Sequence, residues 1–349
     1  MTPGGPPIDR RTLFGVGGAG LLCTLGGLKV RDDEEADLGA LGKRIPDPPS
    51  LSRTQFKQVA DPQPAAGGQV REYWIQAERA KWDIVPHKRD QMMDEPIKGK
   101  TRFTALVYRA YTANWGAPLG PPSIPGATIE AETGDTIVVQ FRNKTGAPVT
   151  VHPHGVFYTE DSDGAYKGKF TQPGGFVKPG KSFRYVWDCR PGTEGAWPYH
   201  DHGPLDPLPL YKGLFGFVHV RKKGEPRADV DHYIAMHSFI PAATGLGRVF
   251  HTMNGRAYTG STPTLFAKVG QRVAQHVIGM SNDFHTYHLH GHRWTDPSGR
   301  VVDNVTIGPA DSYSLEFVED NPGRWLYHCH VFSHLHEGMS GWYVVSPAS

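Results

Sequence analysis

Cysteine is scarce in this chain, with three residues among 349. Cys23 lies in an N-terminal segment that we expect to be removed, which leaves Cys189 and Cys329 in the mature chain. Two cysteines do not make a disulfide framework, so the fold must depend on a packed core. A chain of this length has room for about two domains and a sizeable core. We expect Cys189 to be a buried or partly buried free thiol.

An excess of charge of one sign is also missing, as are long apolar runs. The formal net charge is +2, and no basic tract is present that would suit nucleic acid. The apolar stretch at residues 15–28 is too short and too rich in glycine for a membrane-spanning helix. We therefore expect neither a nucleic-acid partner nor stable insertion into a membrane.

Turn-forming residues, in contrast, are plentiful. The chain has 42 glycines, 30 prolines and 11% aromatic residues, and its apolar runs are short. This pattern predicts an all-β protein with two domains, at residues 66–222 and 223–349. Strands are predicted at residues 70–77, 103–111, 136–142, 182–187, 214–220, 232–237, 272–278, 284–290, 313–317, 324–328 and 341–345.

The first 65 residues indicate targeting and linking segments. Arg10 and Arg11 precede the weakly apolar stretch, which is typical of a Tat-type export signal over residues 1–30. Residues 31–65 form a proline-rich linker in this interpretation. We therefore expect the protein to be exported, to the periplasm or outside the cell. Within the first domain, the polar residues 81–100 are predicted to form a surface loop, and an interface element is a second reading of them.

Histidine is the informative residue type, because ten of the 18 histidines fall into four short clusters. The last cluster contains His328, Cys329 and His330, followed by His334 and Met339. On a strand, successive side chains point to opposite faces, so Cys329 points away from its two histidine neighbours. A thiolate, two imidazoles and a weak axial thioether form a blue copper site for electron transfer. One strand can thus serve two metal sites.

The same parity argument assigns the other clusters, which contain His152 and His154; His200 and His202; and His285, His288 and His290. His285 faces away from the other two in its cluster and suits the site of Cys329. Eight imidazoles remain for the second metal site. They are enough for three ions, with two ligands for one ion and three for each of the others.

A faint internal repeat supports two related domains. Tyr199-His-Asp-His202 parallels Tyr327-His-Cys-His330, so the first domain has Asp201 where the second has Cys329. The first domain should therefore lack a blue site of its own.

These four motifs, in this order, resemble the multicopper oxidase family, and the chain length resembles its two-domain or small laccases. The resemblance covers roughly residues 71–345. It implies two cupredoxin-like Greek-key β-sandwich domains and four coppers per protomer. The type 1 copper would take His285, Cys329, His334 and Met339, and the type 2 copper His152 and His288. The two type 3 coppers would take His154, His202 and His328 on one side, and His200, His290 and His330 on the other.

The resemblance also implies an activity. Small phenols or aromatic amines would give single electrons to the type 1 copper through a solvent-exposed edge of His285. Dioxygen would be reduced to water at the trinuclear cluster, with Asp163 supplying protons and Tyr158 lending an electron. Both histidine-bearing domains contribute to that cluster, so we expect a homotrimer with the cluster at the subunit interface.

Other functions remain as alternatives. Copper nitrite reductases also have two cupredoxin domains, but their blue-copper cysteine lies in the first domain. A metal-ion oxidase is a second alternative, although there is no methionine-rich segment and no acidic cluster is evident in sequence around His285. A non-catalytic copper-binding protein is a third. A zinc protein is less suitable, because zinc gains nothing from the His₂Cys-Met arrangement.

Overall fold

The computed structural model describes residues 62–348. The predicted export signal and most of the predicted linker lie outside these residues. No helix of the described chain is long and apolar enough to cross a membrane. Strands dominate, and the predicted all-β class with two cupredoxin-like sandwiches is confirmed.

The first domain contains ten strands, eight of them in the two sheets of its sandwich. They are β1 (Val70–Asp83), β2 (Arg89–Asp90), β3 (Glu95–Pro96), β4 (Arg102–Tyr111), β5 (Ile129–Glu132), β6 (Thr136–Asn143), β7 (His152–Pro153), β8 (Ser182–Asp188), β9 (Gly195–His200) and β10 (Phe215–Arg221). Short 3₁₀ turns lie at Ala113–Trp115, Glu160–Ser162, Gly168–Phe170, Pro173–Gly175 and Leu210–Lys212.

The second domain contains eleven strands, nine of them in the two sheets of its sandwich, and two short helices. They are β11 (Val230–Phe239), α1 (Pro241–Thr244), β12 (Phe250–Met253), β13 (Leu265–Lys268), β14 (Arg272–Gly279), β15 (His285–Leu289), β16 (Trp294–Thr295), β17 (Val301–Val302), β18 (Asn304–Ile307), β19 (Ser312–Val318), β20 (Gly323–Cys329), α2 (Phe332–His336) and β21 (Ser340–Ser346).

The two sandwiches repeat one topology. The first has sheets of order β4-β1-β6-β8 and β5-β10-β9-β7, and the second has β12-β11-β14-β19 and β13-β21-β20-β15-β18. β7 therefore corresponds to β15 and β9 to β20. The register repeats as well, since His152 pairs with His200 and His288 pairs with His328. The internal repeat that is faint in sequence is clear in the strand pairing.

Each sandwich has its own apolar core, and a third cluster joins them. That cluster contains Trp82, Ile84 and Phe217 from the first sandwich, and Phe250 and Ile278 from the second. Apolar surface buried in this way contributes roughly 25 cal/mol per Å². The cluster therefore stabilises the two sandwiches against each other.

Residues 81–100 differ from the predicted surface loop. Their first part completes β1, and Ile84 and Val85 are fully buried in the joining cluster. β2 and β3 then form a small hairpin. Most of residues 86–100 are exposed, as the surface prediction expects. The buried Ile84 and Val85 anchor the segment to the second sandwich, in agreement with its second reading as an interface element.

Candidate metal centres

The thiolate site consists of His285, Cys329, His334 and Met339. His285 begins β15 and Cys329 ends β20, and these strands are neighbours in one sheet. Helix α2 then folds the chain back so that His334 lies beside the cysteine. The amide of Cys329 donates to the carbonyl of Met339 at 3.0 Å, and the amide of Met339 donates to the carbonyl of His334 at 2.9 Å. All four ligand candidates come from this one turn of chain and its neighbouring strand.

Three donor atoms converge in the thiolate site. Cys329 Sγ lies 3.7 Å from His334 Nδ1 and 4.0 Å from His285 Nδ1, and the two Nδ1 atoms are 3.2 Å apart. Three donors around one ion, each at 2.0–2.3 Å from it, would lie about 3.5–3.8 Å from one another. The three atoms therefore fit a single metal ion, and the mixture of thiolate and imidazole suits copper.

Burial prepares these groups as ligands. It lowers the pKa of His285 to about 3, aided by the nearby His334, so the imidazole is neutral at pH 7. Burial likewise lowers the pKa of His334. Burial raises the pKa of the Cys329 thiol, while the backbone amide of Thr286, 3.4 Å from Sγ, favours the thiolate. A cation is needed to hold the sulfur deprotonated.

The first histidine half-site consists of His152, His154, His200 and His202. Nε2 of His154 lies 3.0 Å from Nε2 of His200. His152 donates from Nδ1 to the carbonyl of Asp163 at 2.6 Å, and His200 donates from Nδ1 to the carbonyl of Asp201 at 2.8 Å. These bonds fix the tautomer and leave each Nε2 lone pair free for a metal. Burial lowers the pKa of His154 to about 4 and of His200 to about 3, so both are neutral.

The second histidine half-site consists of His288, His290, His328 and His330. Nε2 of His290 lies 3.0 Å from Nε2 of His328, which repeats the first half-site. His288 donates from Nδ1 to the carbonyl of Asp303 at 2.7 Å, and His328 donates from Nδ1 to the carbonyl of Cys329 at 2.8 Å. Burial lowers the pKa of His328 to about 4. The donor set again suits a metal bound through Nε2.

The two half-sites remain separate groups within one chain. Potential ligand atoms of His152, His154 and His200 lie within 4.8 Å of one another, as do those of His288, His290 and His328. Among residues 62–348 no group within that distance combines histidines from both half-sites. A single protomer therefore brings together two halves of the predicted cluster and does not join them.

Asp163 and Tyr158 both lie beside His152. Asp163 Oδ1 is 3.2 Å from His152 Nδ1, and Oδ2 is 2.7 Å from Lys167 Nζ. The ring centre of Tyr158 is 6.0 Å from that of His152, and partial burial raises the tyrosine pKa. Lys167 has no place in the sequence prediction, although its spacing of four residues from Asp163 is typical of an ion pair on a turn.

A fourth group, which sequence reasoning missed, consists of His251, Asp283 and His334; we call it the carboxylate–imidazole group. The His251 ring stacks on that of His334 at 3.8 Å between centres. Ser238 Oγ lies 2.8 Å from His251 Nδ1 and 3.1 Å from Asp283 Oδ2. Glu337 Oε2 is 3.3 Å from His251 Nε2. Asp283 lies two residues before His285, a spacing that could have drawn attention to it, but His251 carried no signal.

The exposed edge predicted for His285 is wrong. His285 is 0% exposed in this chain, whereas His334 is 8% exposed and borders the carboxylate–imidazole group. His285 Nε2 lies 2.7 Å from Ser281 Oγ, in the loop between β14 and β15. Of the two imidazoles in the thiolate site, His334 is therefore the one with the larger exposed fraction.

Cys189 is buried and free, as predicted. Burial raises the pKa of its thiol to about 12, with nearby Asp135 and Asp188 adding to the shift. Such a thiol stays protonated and unreactive. It has no part in the metal centres.

Two family models, both described as multicopper oxidase, match residues 122–225 and 229–349. The chain is 33% identical over 240 residues to a probable nitrite reductase-hydroxylamine oxidoreductase fusion protein of Kuenenia stuttgartiensis, covering 64% of this chain and 28% of that protein. It is 29% identical over 366 residues to human hephaestin (84% and 31%) and 28% identical over 339 residues to human ceruloplasmin (79% and 30%). The chain thus spans less than a third of the length of these curated relatives.

Solved structures show the same fold. A multicopper oxidase crystal structure matches with a TM-score of 0.64 and 23% identity, covering 83% of this chain and 94% of that chain. The blue copper oxidase of Nitrosomonas europaea matches with a TM-score of 0.63 and 22% identity (80% and 86%). The copper nitrite reductase of Nitrosomonas europaea matches with a TM-score of 0.59 and 17% identity (80% and 93%).

Proposed function

Because the chain belongs to the multicopper oxidase family, we propose that it is a laccase-type oxidase. It would take single electrons from phenols or aromatic amines and reduce dioxygen to water. The observation that carries the proposal is the place of Cys329 on β20. Its thiol faces His285 and His334, while His328 and His330 belong to the second half-site.

Copper bound at these sites would supply the one-electron chemistry that protein side chains lack. His285, Cys329 and His334, with Met339 as the weak axial ligand, would hold the type 1 ion. The two histidine half-sites would hold the type 2 and type 3 ions. Four coppers per protomer would use all twelve residues.

The chain itself links the two kinds of site by a short path. Cys329 is bonded covalently to His328 and His330, and its carbonyl accepts a hydrogen bond from His328 Nδ1 at 2.8 Å. The thiolate and the second half-site are therefore joined through one residue. At the first half-site, Asp163 lies close enough to His152 to deliver protons to the oxygen-reducing centre.

The separate half-sites support assembly into a homotrimer. Each domain carries only four of the eight half-site histidines, and one protomer does not bring the two sets together. Pairing the first domain of one copy with the second domain of the next would complete each cluster. Such head-to-tail contacts close into a ring when the rotation allows it, and three copies is the number that the resemblance to small laccases implies.

Export is also part of the proposal. The twin arginine at Arg10 and Arg11 supports a Tat-type signal. Replacing both with lysine should leave the protein in the cytoplasmic fraction of cells that export the wild type. Unchanged export of the double variant would contradict this.

A metal-ion oxidase is the second candidate function, and one observation favours it. The carboxylate–imidazole group offers imidazole and carboxylate oxygen beside His334, and these donors suit a cation such as ferrous ion. Glu337 adds a second carboxylate within 3.3 Å of His251. Hephaestin and ceruloplasmin are among the relatives, as is a mouse protein named as a ferroxidase.

Oxygen uptake with phenols, ferrous ion and cuprous ion as alternative donors separates these functions. Laccase activity predicts the highest kcat/KM with phenols, and Asp283→Asn should then lower kcat/KM for ferrous ion no more than it lowers kcat/KM for phenols. Metal-ion oxidase activity predicts that Asp283→Asn lowers kcat/KM for ferrous ion selectively. Glu316→Gln, which removes an exposed charge on β19, is the control.

No oxygen uptake with any donor would contradict both oxidase functions and favour a copper-binding protein. Reduction of nitrite by the reduced protein, without consumption of oxygen in air, would instead identify a nitrite reductase.

A further inference from the structure

Residues 82–92 of the first sandwich make hydrogen bonds and a cation–π contact with one loop of the second sandwich. This loop, residues 254–264, connects β12 to β13. Trp82 Nε1 donates to the carbonyl of Gly255 at 2.6 Å, and the amide of Ala257 donates to the carbonyl of Ile84 at 3.0 Å. The guanidinium of Arg256 lies 3.9 Å from the centre of the Trp82 ring. The loop is therefore held from the side of the first sandwich.

Thr259 makes three further bonds to the same segment. Its hydroxyl donates to Asp90 Oδ1 at 2.7 Å and accepts from the amide of Met92 at 2.7 Å. Its carbonyl accepts from the amide of Gln91 at 3.1 Å. Thr259 and Asp90 are both buried, so these bonds are shielded from water. Removing the hydroxyl leaves a buried carboxylate oxygen and a backbone amide without this partner.

The loop is held in a costly conformation. Asn254 has a φ of 51° and Tyr258 a φ of 69°, which is the left-handed region that side chains other than glycine rarely adopt. Each such residue costs roughly 1 kcal/mol or more and persists only where its surroundings hold it in place. Asn254 is held by hydrogen bonds with Tyr233 and Ala235 of β11. Tyr258 lies between Ala257 and Thr259, which are bonded to Ile84 and Asp90 of the first sandwich.

The other side of the loop touches the thiolate site. The amide of Tyr258 donates to the carbonyl of Gly338 at 2.7 Å, and Thr262 Oγ1 donates to the carbonyl of Ser340 at 2.7 Å. A Cβ at Gly338 would lie 2.8 Å from Ala257 Cβ and 2.9 Å from the Tyr258 amide nitrogen. The backbone is thus clamped on both sides of Met339.

We propose that Asp90 and Thr259 are positioning residues for Met339, the axial ligand of the thiolate site. Residues 82–92 of the first sandwich act through the 254–264 loop and fix the Gly338–Ser340 backbone, which would set the distance of the methionine sulfur from a bound metal. This inference rests on the proposed type 1 copper site. The axial contact is weak and long, and it tunes the redox potential of a blue site, so a small backbone shift alters a measurable property.

The test uses the copper-loaded protein and reads its thiolate–copper absorption spectrum, its electron paramagnetic resonance spectrum and the type 1 reduction potential. Thr259→Val keeps the shape of the side chain and removes the hydroxyl, and it should shift the potential and alter both spectra. Thr259→Ser keeps the hydroxyl and should restore wild-type values. Thr193→Val is the matched control, because Thr193 is equally buried and its hydroxyl bonds to Arg190 at 2.7 Å, away from this path.

A double-mutant cycle identifies the route of the effect. In a Met339→Leu background the axial sulfur is gone, so Thr259→Val should cause no further shift. An equal shift in both backgrounds would overturn the proposal, as would wild-type spectra and potential in Thr259→Val itself. Asp90→Ala removes the acceptor of the same hydrogen bond. It should reproduce the shift in potential if Thr259→Val folds poorly.

The outcomes separate the two proposals. A wild-type protein with copper bound and no blue band would overturn the proposed type 1 site and this inference with it. A blue wild type whose Thr259→Val variant is unchanged would overturn this inference alone.

Discussion

At the residue scale, Cys329 is the single thiolate available to the metal centres in the described chain, because Cys189 is buried away from them. Its sulfur lies within 4.0 Å of two imidazole nitrogens. Cys329→Ser should abolish the blue thiolate–copper band and reduce oxidase turnover to background. The histidine half-sites should still bind copper, which metal analysis of the purified variant would measure. A serine variant that remains blue would contradict the assignment.

Asp163 differs from its acidic neighbours Glu160 and Asp161, because it alone of the three lies within 3.2 Å of a half-site imidazole. Asp163→Asn keeps the shape and removes the acid. We expect it to slow reoxidation of the reduced protein by dioxygen about 10²-fold or more, the usual size of a lost general acid. Reduction of the type 1 site by substrate should be unchanged. Stopped-flow absorption follows both steps, with Asp161→Asn as the control, and equal reoxidation rates across pH would refute the role.

His219 lies on β10, where the first sandwich meets β11 and β14 of the second. Its Nδ1 is 2.7 Å from the hydroxyl of Tyr233, and its ring is 4.4 Å from that of His276. Burial, with His276 and Arg221 nearby, lowers its pKa to about 3. In the unfolded chain the ring titrates near pH 6.5, so acid favours unfolding between pH 6.5 and about 3.

This pKa shift predicts the pH dependence of stability. His219→Gln should flatten the loss of unfolding free energy between pH 6.5 and 4 by up to about 1 kcal/mol per pH unit. Above pH 7 the slopes of variant and wild type should agree, since the histidine is neutral in both states there. Urea unfolding at a series of pH values measures this, with the exposed His87→Gln as control. If the unfolding free energies of His219→Gln and wild type fall in parallel below pH 6.5, the pKa of His219 is not lowered in the folded protein.

At the element scale, neighbouring strands of both sandwiches use the same close packing of glycine against tyrosine. A Cβ at Gly216 on β10 would lie 2.5 Å from the Tyr199 ring, and one at Gly341 on β21 would lie 2.4 Å from the Tyr327 ring. Each tyrosine hydroxyl donates to a backbone carbonyl at 2.7 Å, at Ala127 and Pro263. The tyrosine precedes a half-site histidine in each case, so this packing sets the position of the metal ligands.

Gly341→Ala should therefore cost about 1–3 kcal/mol of stability, the usual price of overpacking a core. It should also weaken copper binding at the adjacent His328. Denaturant unfolding and copper content measure the two effects. Gly247→Ala is the control, because nothing lies within 4 Å of the added Cβ. A Gly341→Ala protein as stable as that control would contradict the close packing.

At the scale of the whole molecule, the proposed trimer would make the copper cluster depend on assembly, because one chain keeps the two half-sites apart. Copper that binds only the associated state should stabilise it, so removal of copper should lower the mass measured by light scattering. The wild type with copper should have the mass of three chains. A copper-replete, active monomer would exclude the shared site.

Mixing of two inactive variants tests which domains meet. His152→Ala is damaged in the first half-site and His288→Ala in the second. In head-to-tail rings co-expressed at equal amounts, about a quarter of the interfaces combine two intact half-sites. We expect about that share of wild-type activity to return. No recovery in verified mixed trimers would mean that each cluster is built within one chain.

The sequence by itself predicted the groups of candidate ligands and most of the strands. Strand alternation is a local property, so the parity of His285 against His288, and of Cys329 against its neighbours, separates the sites without knowledge of the fold. The predicted strands at residues 136–142 and 272–278 agree with β6 and β14 to within one residue. Apolar alternation over several residues carries that information locally.

Short strands escaped this reasoning. β7 has two residues and β5 and β12 have four, which is too few for a clear alternation. Their positions are set by hydrogen bonds to neighbouring strands that are distant in sequence. β7 nevertheless carries His152, so the position of this predicted ligand depends on a strand that periodicity does not reveal.

Only the tertiary structure decided which loops meet. It placed His251 and Asp283 beside His334, buried His285, kept the two half-sites apart within one chain, and brought Asp90 to Thr259 across 169 positions of sequence. None of these contacts has a local pattern, because each depends on how two sandwiches pack and not on the period of one strand. The candidate ligands follow from local geometry, whereas their burial, their access to solvent and their support follow from long-range packing.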